Sequence, residues 1–214
     1  MVCVRDWVAW HRAYEDPSSS LSARLRRVRY HLSRAIDRAP PGPVRLVSLC
    51  AGQGHDVIGV LPGHPRGADV RAVLIEADAA NVALARRAAA EAGLAHVDVR
   101  EADASLVTSF ADALPAGVLL LCGIFGNVSD RDIQHIVEAA PALCRPGATV
   151  IWTRHRRPPD LTPRVRGWFT ACGFEEIAFD ALGTDTMTGV GVSRLRSVAS
   201  APLPEGPLFT FGTR

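Results

Sequence analysis

The chain has 214 residues with 24 arginines, no lysine and 22 acidic residues, so its formal net charge is only +2. Apolar residues make up 48% and charged residues 21%, the composition of one globular domain that can bury a substantial core. Because the acids are interspersed with the arginines, we expect neither a nucleic-acid partner nor a membrane partner, and the longest nearly uncharged stretch, residues 116–128, is shorter than the roughly 20 residues of a spanning helix.

The first residues and the cysteines indicate the compartment. Arg5 and Asp6 stand where a signal peptide would carry its apolar segment, so we expect a cytoplasmic protein. The five cysteines are odd in number and form no C-x-x-C pair, which argues against a disulfide framework and against a zinc site. Cys50 and Cys122 lie in apolar runs and are expected to be buried. Since the histidines are scattered along the chain, no metal site is predicted.

Two amphipathic helices are predicted at the start of the chain. Trp7, Trp10 and Tyr14 fall at spacings of three and four, which predicts a short helix with an aromatic face. Apolar residues repeat at helical spacing over 21–36 and predict a second helix. Proline and glycine then end the pattern, so residues 1–43 are interpreted as an N-terminal helical cap packed on the main domain. Deletion of residues 1–39 is expected to leave a folded but less soluble domain.

From residue 44 onward, strand patterns alternate with helical patterns. Five β-α units with short connections predict a mainly parallel sheet covered by helices on both faces. The predicted strands are residues 44–50, 70–75, 96–100, 118–124 and 149–153. The predicted helices begin near residue 56, cover 79–92, lie near 106, and cover 130–143 and 163–172.

The end of the predicted sheet differs, because its last two strands have no helix between them. Residues 174–182 and 188–196 are joined by a short polar turn, which predicts an antiparallel hairpin. The fold class is therefore α/β, a Rossmann-like, doubly wound, seven-stranded sheet over residues 44–198. The proline-rich tail, residues 199–214, is expected to dock on the domain through its last apolar residues, Leu208, Phe209 and Phe211.

The loop after the first predicted strand reads Cys50-Ala51-Gly52-Gln53-Gly54-His55-Asp56. Gly52 and Gly54 allow the backbone to approach a ligand closely, and the helix that follows presents free N–H groups to an anion. A plain tight turn is the alternative interpretation of these two glycines.

Acidic residues follow the next two predicted strands. Glu76, 24 residues beyond Gly52, can accept hydrogen bonds from both hydroxyls of a ribose, although a solvated acid at a strand end is the simpler alternative. Asp103 follows the third strand and can accept from an exocyclic adenine amine. The small Ala102 and Ala104 beside it leave room for the ring.

This succession resembles the class I S-adenosylmethionine-dependent methyltransferases over residues 44–198. That family has a glycine-rich loop, a ribose acid, an adenine acid and a final antiparallel hairpin in the same order. The resemblance implies S-adenosylmethionine as cofactor, with Glu76 on the ribose and Asp103 on the adenine. The cofactor-binding residues it implies are Tyr14, Cys50, Ala51, Gly52, Gln53, Gly54, Glu76, Ala77, Asp103, Ala104, Gly123, Phe125 and Asn127.

The chain departs from the family's loop pattern at two positions. Ser48 stands where the family has an acid that indirectly supports the methionine amine, and Cys50 stands at the first glycine. Asp56 or the region around Tyr14 is expected to take over the role of the missing acid.

After the fourth predicted strand, Ser129 and Asp132 predict a helix cap. By the resemblance, the residues before this cap lie where the transferable methyl group points. Asn127 would orient a substrate or the methionine carboxylate and Phe125 would wall the pocket, while a simple turn at Asn127 is the alternative. The catalytic residue is not identified, and the candidates are Asn127 and His155, with His155, His55 or no residue as general base.

Arginines are densest after the fifth predicted strand, in residues 154–159, and Arg164 and Arg166 follow. A solvated loop and a recognition patch for an acidic substrate, phosphate or RNA are the two interpretations. No aromatic residue is interleaved with these arginines, which disfavours RNA.

The sequence thus predicts a methyltransferase that acts on a small acceptor, which is acidic if the arginine patch recognises it. The N-terminal helices are expected to form a lid over the cofactor. The assembly is expected to be either a monomer or a homodimer. A non-catalytic S-adenosylmethionine-binding or interaction module is one alternative, because of Ser48 and Cys50. An NAD(P)-binding oxidoreductase is another. It would share the glycine turn and Glu76, but Val57 stands where its G-x-G-x-x-G pattern needs the third glycine.

Overall fold

The computed structural model describes residues 10–183, 187–196 and 202–211, so predictions that rest on Cys3, Trp7 or the turn at 184–186 lie outside the described residues. One sheet is formed by β1 Val44–Leu49, β2 Val70–Glu76, β3 Val97–Glu101, β4 Ala116–Leu121, β5 Cys144–His155, β6 Phe174–Leu182 and β7 Thr188–Leu195. The helices that lie wholly within the described residues are α1 Ser20–Arg38, α2 His55–Ile58, α3 Ala79–Glu91, α4 Asp130–Leu143 and α5 Thr162–Ala171. Single 3-10 turns occur at Arg12–Tyr14, Leu61–Gly63, Gly67–Asp69, Val107–Ser109 and Ala111–Ala113.

The strand order in the sheet is β3-β2-β1-β4-β5-β7-β6. Neighbours among β1 to β5 pair in parallel, whereas β7 is antiparallel to both β5 and β6. This arrangement confirms the predicted Rossmann-like fold with its C-terminal hairpin. The order reverses between β1 and β4, and ligands of doubly wound sheets bind above the carboxyl ends of strands at such a switch point. The loops after β1, β2, β3 and β4 are therefore the place to look for a site.

Helices cover both faces of the sheet. The helices α4 and α5 pack on one face and α1, α2 and α3 on the other. Each face has its own core layer, and alternate residues of the central strands belong to the two layers. Within β4, for example, Leu119 and Leu121 point to the first layer and Val118 and Leu120 to the second, all of them fully buried. Burial on both faces explains why β4 is apolar at every position rather than at alternate ones.

The helix α1 is part of this core. Its residues Val28, Leu32 and Ile36 are at most 2% exposed and belong to the layer formed with β1 and β2. The His31 imidazole also lies 2.5 Å from the Asp180 carboxylate of β6. Deletion of residues 1–39 would therefore remove one of the helices that cover the sheet and would expose its core layer. That such a protein stays folded remains a prediction.

Several predicted boundaries shift. The helix after the glycine loop is only the single turn α2, and the predicted helix near residue 106 is the 3-10 turn Val107–Ser109. Gly123, with φ +84°, starts a turn directly after the fourth strand, so β4 ends at Leu121 rather than at residue 124. The strand β5 is longer than predicted, because its pairing with β7 continues to His155.

The described part of the tail docks on the domain as predicted. Leu208 and Phe209 are buried in the core layer under α4 and α5, and the Leu208 N–H donates to the Ser105 carbonyl at 2.8 Å. Phe211 is 44% exposed and packs edge-on against Phe209 instead. Two of the three apolar residues therefore fasten the tail.

None of the helices in the described ranges has the length and apolar composition needed to cross a membrane. The same residues contain no group of three or more His, Cys, Asp or Glu side chains that could hold a metal ion.

Candidate functional site

The loop after β1 holds three residues in the left-handed backbone region. Cys50, Gly52 and Gly54 have φ values of +53°, +56° and +69°. A Cβ atom on Gly54 would lie 2.8 Å from Ile58 Cδ1 and 2.9 Å from Leu74 Cδ2, so a larger residue would have to displace these side-chain ends and adopt a left-handed φ. Cys50 adopts the glycine-type conformation at the position where the family pattern has its first glycine. Cys50 is therefore compatible with a backbone conformation that glycine favours.

Glu76 ties the end of β2 to this loop. Its Oε2 accepts a hydrogen bond from the Gly52 N–H at 2.8 Å, and its Oε1 accepts from the N–H groups of Ala77 and Asp78 at 3.0 and 2.9 Å. A carboxylate offers about four lone-pair directions, so about one remains on Oε2 for a ligand hydroxyl. Gln53 fastens the other side of the loop, because its amide donates to the buried Asn81 at 3.1 Å.

Asp103 lies at the same edge of the sheet, two residues after β3. It is exposed, and its Oδ1 accepts from the Ser105 N–H at 2.8 Å while Oδ2 has no hydrogen bond to a described residue. The next residue, Ala104, is 3% exposed and belongs to the core. Asp103 is thus positioned to accept from a ligand, but the Ala104 methyl group faces the core and does not line an open ring site.

The N-terminal segment lies on the glycine loop. A Cβ atom on Gly52 would be 2.2 Å from His11 Nε2, so the His11 imidazole covers that residue. The Tyr14 ring lies 5.0 Å from the His55 ring, and Arg24 Nη2 of α1 donates to the Tyr14 hydroxyl at 2.6 Å. The described part of the N-terminal segment therefore contacts the loop through His11 and Tyr14, and these two residues are named the cover.

A partly buried polar cluster adjoins this cover and includes Tyr14. Asp56 is 9% exposed, and burial raises the pKa of its carboxyl group, whereas a hydrogen bond from the Val57 N–H at 2.8 Å and the charges of Arg29 and Arg24 lower it. Tyr14 lies close enough for the Asp56 charge to raise the pKa of its hydroxyl, although burial is the larger cause. Tyr14, Arg24 and Asp56 thus form the polar set at this end of the loop. Arg24 was missed by sequence reasoning, since it reads as part of the outer face of a helix.

His55 stands between α1 and the cover. Burial lowers the pKa of its imidazole to about 4, and the neighbouring His11 and Arg29 act in the same direction. The Arg29 guanidinium is held there by two hydrogen bonds to the His55 carbonyl, at 2.9 and 2.6 Å. His55 is therefore neutral near pH 7.

Two hydrogen bonds at Gly123 hold the loop after β4 in place. The Gly123 N–H donates to the Thr153 hydroxyl at 2.9 Å, and the Asn127 side-chain amide donates back to the Gly123 carbonyl at 2.7 Å. Asn127 therefore closes a turn, as the simpler interpretation predicted, at the mouth of the switch point. Phe125 is fully buried and packs on Trp152 with 5.8 Å between ring centroids, so it supports the loop from the core and does not wall an open pocket.

His155 lies beside this loop, at the end of β5. Its Cδ2 is 3.7 Å from where a Cβ atom on Gly126 would be, so the imidazole neighbours the turn that carries Asn127. The structure thus brings the two catalytic candidates to one place, at the carboxyl ends of β4 and β5.

The arginines at the end of β5 and in the segment that follows it mostly have partners within the protein. Arg154 is 10% exposed, donates to the Phe125 carbonyl and lies 3.5 Å from Asp130. The remaining pairs are Arg156 with Asp160 at 3.3 Å, Arg166 with Glu176 at 2.6 Å, and Arg164 stacked on Trp168 at 5.1 Å. Among the described residues of this segment, only Arg157 has neither an ion pair nor an aromatic partner. The geometry therefore favours neither of the two interpretations as stated, because these arginines hold the loop and do not form a free positive patch.

Comparisons with known proteins give a consistent picture of the fold. No protein-family model matches the chain, and no curated protein matches its sequence. A possible exported protein from Bordetella parapertussis is similar in structure, with a TM-score of 0.67 and 16% identity over 90% of this chain and 80% of that chain. An O-methyltransferase family protein from Burkholderia thailandensis has a TM-score of 0.61 and 16% identity over 90% of this chain and 69% of that one.

A third solved structure contains a cofactor product. An RNA methyltransferase from Salinibacter ruber in complex with S-adenosyl-L-homocysteine has a TM-score of 0.51 and 21% identity over 82% of this chain and 97% of that one. At such low identities the likeness concerns the fold. The chain has the fold of the S-adenosylmethionine-dependent methyltransferases.

Proposed function

We propose that the protein is an S-adenosylmethionine-dependent methyltransferase that acts on a small-molecule acceptor. The observation that carries the proposal is the hydrogen bond between Glu76 and the Gly52 N–H at 2.8 Å, which joins the glycine loop to the strand-end acid at the switch point of the sheet. Asp103 at the next strand end and the fold of the neighbouring structures support it.

The residues present suit the three parts of this cofactor. Glu76 Oε2 has a lone pair for one ribose hydroxyl, and the exposed Asp103 carboxylate can accept from the adenine amine. At the methionine end, Asp56 and Arg24 offer one negative and one positive group, which match an amine and a carboxylate. Ser48 is buried in β1, so this pair takes over the role that the family gives to the missing acid.

When bound, S-adenosylmethionine supplies a methyl group on a positively charged sulfur. The chain's own contribution is position and exclusion of water, since His11 and Tyr14 cover the loop and Asn127 holds the turn beside the acceptor's side of the sheet. For an acceptor that is poorly acidic, the imidazole of His155 is placed to take its proton. His55 belongs to the cover and does not lie beside that turn.

The two alternatives predict different ligands. An oxidoreductase needs a third glycine, where this chain has the fully buried Val57. A non-catalytic module would bind S-adenosylmethionine without transferring its methyl group. The chain's intact loop conformation at Cys50 favours binding of this cofactor over NAD, but it does not distinguish a module from an enzyme.

Titration calorimetry of the full chain with S-adenosylmethionine, S-adenosylhomocysteine and NAD tests the proposal. We expect saturable binding of both sulfur compounds and none of NAD. Binding of NAD alone would overturn the proposal in favour of the oxidoreductase. If both sulfur compounds bind, incubation with isotopically methyl-labelled cofactor and a mixture of phenols, amines and carboxylates follows, and the absence of any labelled product would support the module.

A further inference from the structure

A cavity lies at the opposite edge of the sheet from the glycine loop. It has a volume of about 580 Å³ and is bounded by the start of β4 and β5, the start of β6, the end of β7 and the last turns of α1. Because β4 is six residues long, about 20 Å of strand separates this cavity from the proposed cofactor site. No part of the proposed methyl transfer uses it.

The cavity is lined by an excess of positive charge. Five arginines face it with one carboxylate, and together these six residues are named the arginine groove: Arg34, Arg38, Arg145, Arg194, Arg196 and Glu175. The neighbouring Asp37 lies 3.5 Å from Arg34, so five cations meet two carboxylates. This excess of three exceeds the formal net charge of the whole chain, which is +2. The arginine groove therefore carries a local excess of positive charge.

Two of these arginines have no partner among the described residues. Glu175 is shared between Arg194 at 2.8 Å and Arg196 at 3.0 Å, and these arginines hold the pKa of Glu175 at about 2. Arg38 and Arg145 make neither an ion pair nor a hydrogen bond with any described residue. In contrast to the arginines after β5, they are available to an outside anion.

The position of Arg145 depends on the backbone beneath it. A Cβ atom on Gly117 would lie 3.0 Å from Arg145 Nε and 3.1 Å from its Nη2, so the guanidinium lies across this glycine of β4. The pairing of β4 with β5 shifts register at the same point, between Ala116 and Val118. A bulge and a glycine thus seat the side chain in the floor of the cavity.

The helix end that faces the cavity does not repel an anion. The carboxyl end of a helix carries partial negative charge on its free carbonyls. Here Arg66 donates to the carbonyls of Ile36 and Ala39 of the α1 end at 2.8 and 2.7 Å, and to those of Pro40 and Gly42 at 2.9 and 3.2 Å. The cation of Arg66 therefore offsets the negative end of α1 beside the arginine groove.

We propose that the arginine groove binds a small anion that carries two or more phosphate groups. Guanidinium groups match phosphate oxygens in a fork geometry, and an excess of three cations requires a ligand with several negative charges. The volume lies within the range of small-molecule sites, roughly 300–1,000 Å³. Phe, Tyr and Trp are absent from the described residues that line it, so no base is stacked and the phosphates are the part that is recognised.

Calorimetry of the full chain with inorganic tripolyphosphate tests this site. We expect saturable binding, at least a tenfold higher Kd for the double variant R38A/R145A, and an affinity for ATP no higher than for tripolyphosphate. The matched control is R131A/R157A, which removes two exposed arginines that also lack ion pairs among the described residues, and its Kd should stay within twofold. Circular dichroism melts check that both double variants fold.

Three outcomes would overturn the proposal. They are no saturable binding to the wild type, an equal loss in both double variants, or a single-stranded RNA that binds more than tenfold tighter than tripolyphosphate and loses affinity in R38A/R145A. The last result would assign the groove to a nucleic-acid backbone. Should R38A/R145A fail to fold, R145Q keeps the stem over Gly117 and is expected to raise the Kd at least threefold. The titration does not depend on methyl transfer, so its result tests the arginine groove independently of the proposed function.

Discussion

The two edges of the sheet are built in different ways. At the carboxyl edge, the glycine loop, Glu76 and Asp103 follow three successive strands, and each is visible as a short sequence pattern. At the amino edge, the arginine groove takes its residues from α1, β5, β6, β7 and the residue after β7. Parallel strands place the starts of sequence-distant segments side by side, so charge accumulates there without any local signal.

The same comparison applies to arginines alone. The densest run in the sequence, residues 154–159, is held by carbonyl and carboxylate partners, with only Arg157 unpaired among its described arginines. The scattered arginines of the groove include two that have no ion pair or hydrogen bond within the described part of the chain. Positive charge along a sequence therefore does not predict positive charge available on a surface, because each cation's partner is set by the fold.

The largest effect is expected at the carboxyl edge from Gly52→Val. The branched side chain would meet His11 at 2.2 Å from its Cβ and would require a φ of +56°, so we expect binding of S-adenosylmethionine to be abolished. Gly93→Val is the matched control, since Gly93 has a φ of +68° but no atom within 4 Å of its Cβ position. Calorimetry that finds normal binding to G52V would show that the loop does not hold the cofactor.

The next effect concerns the acid at the end of β2. Glu76→Ala removes the acceptor of three backbone N–H groups and of the ribose, and we expect binding of S-adenosylmethionine to weaken by about 1.5–3 kcal/mol. The control is Glu101→Ala, because Glu101 is the exposed residue opposite Glu76 on β3. An equal Kd for both variants would remove Glu76 from the site.

A smaller effect is expected from the cover. His11→Ala should weaken binding of S-adenosylmethionine about tenfold, or about 1.4 kcal/mol, because the imidazole shields Gly52 from water. His135→Ala on the exposed face of α4 is the control. Tighter binding by H11A would mean that His11 obstructs the loop and does not close over a ligand. Deletion of the N-terminal residues would be a poorer test of the cover, since it would also remove core side chains of α1.

The smallest expected effect is a pH dependence of the stability that His55 causes at the carboxyl edge and that the arginine groove does not share. In the folded protein the pKa of His55 is lowered from 6.5 to about 4, so between these values only the unfolded chain takes up a proton there. The stability from this group is complete above about pH 6.5 and is lost as the pH falls toward 4. Because the imidazole is partly solvated, we expect wild type to lose about 1 kcal/mol more than His55→Gln between pH 7 and pH 4.5.

Denaturant unfolding of both proteins at the two pH values measures this difference. Parallel stability curves would place the His55 imidazole in water, whereas a steeper fall for the wild type supports its burial under the cover. The arginines at the other edge keep their charge throughout this pH range. The stability of R38A/R145A should therefore follow the same pH dependence as that of the wild type, which provides a baseline.

The sequence by itself determined the alternation of strands and helices, the final hairpin and the glycine loop followed by Glu76 and Asp103. These features depend on local periodicity or on turn chemistry, which neighbouring residues define. Even so, the predicted end of β4 was wrong, because the turn at Gly123 ends the strand at Leu121, and the sequence did not indicate that α2 is a single turn.

Only the tertiary structure decided which side chains meet. It buried α1 in the core, set His11 on Gly52 and brought Arg24 to Tyr14. It also paired most arginines around the end of β5 and gave Arg38 and Arg145 no partner among the described residues. Each of these outcomes joins residues that are far apart in the chain or on different elements, and hydrogen bonds and ion pairs reach only a few ångströms. A pattern in the sequence can place a charged residue on an element, but its partner is fixed only when the elements pack.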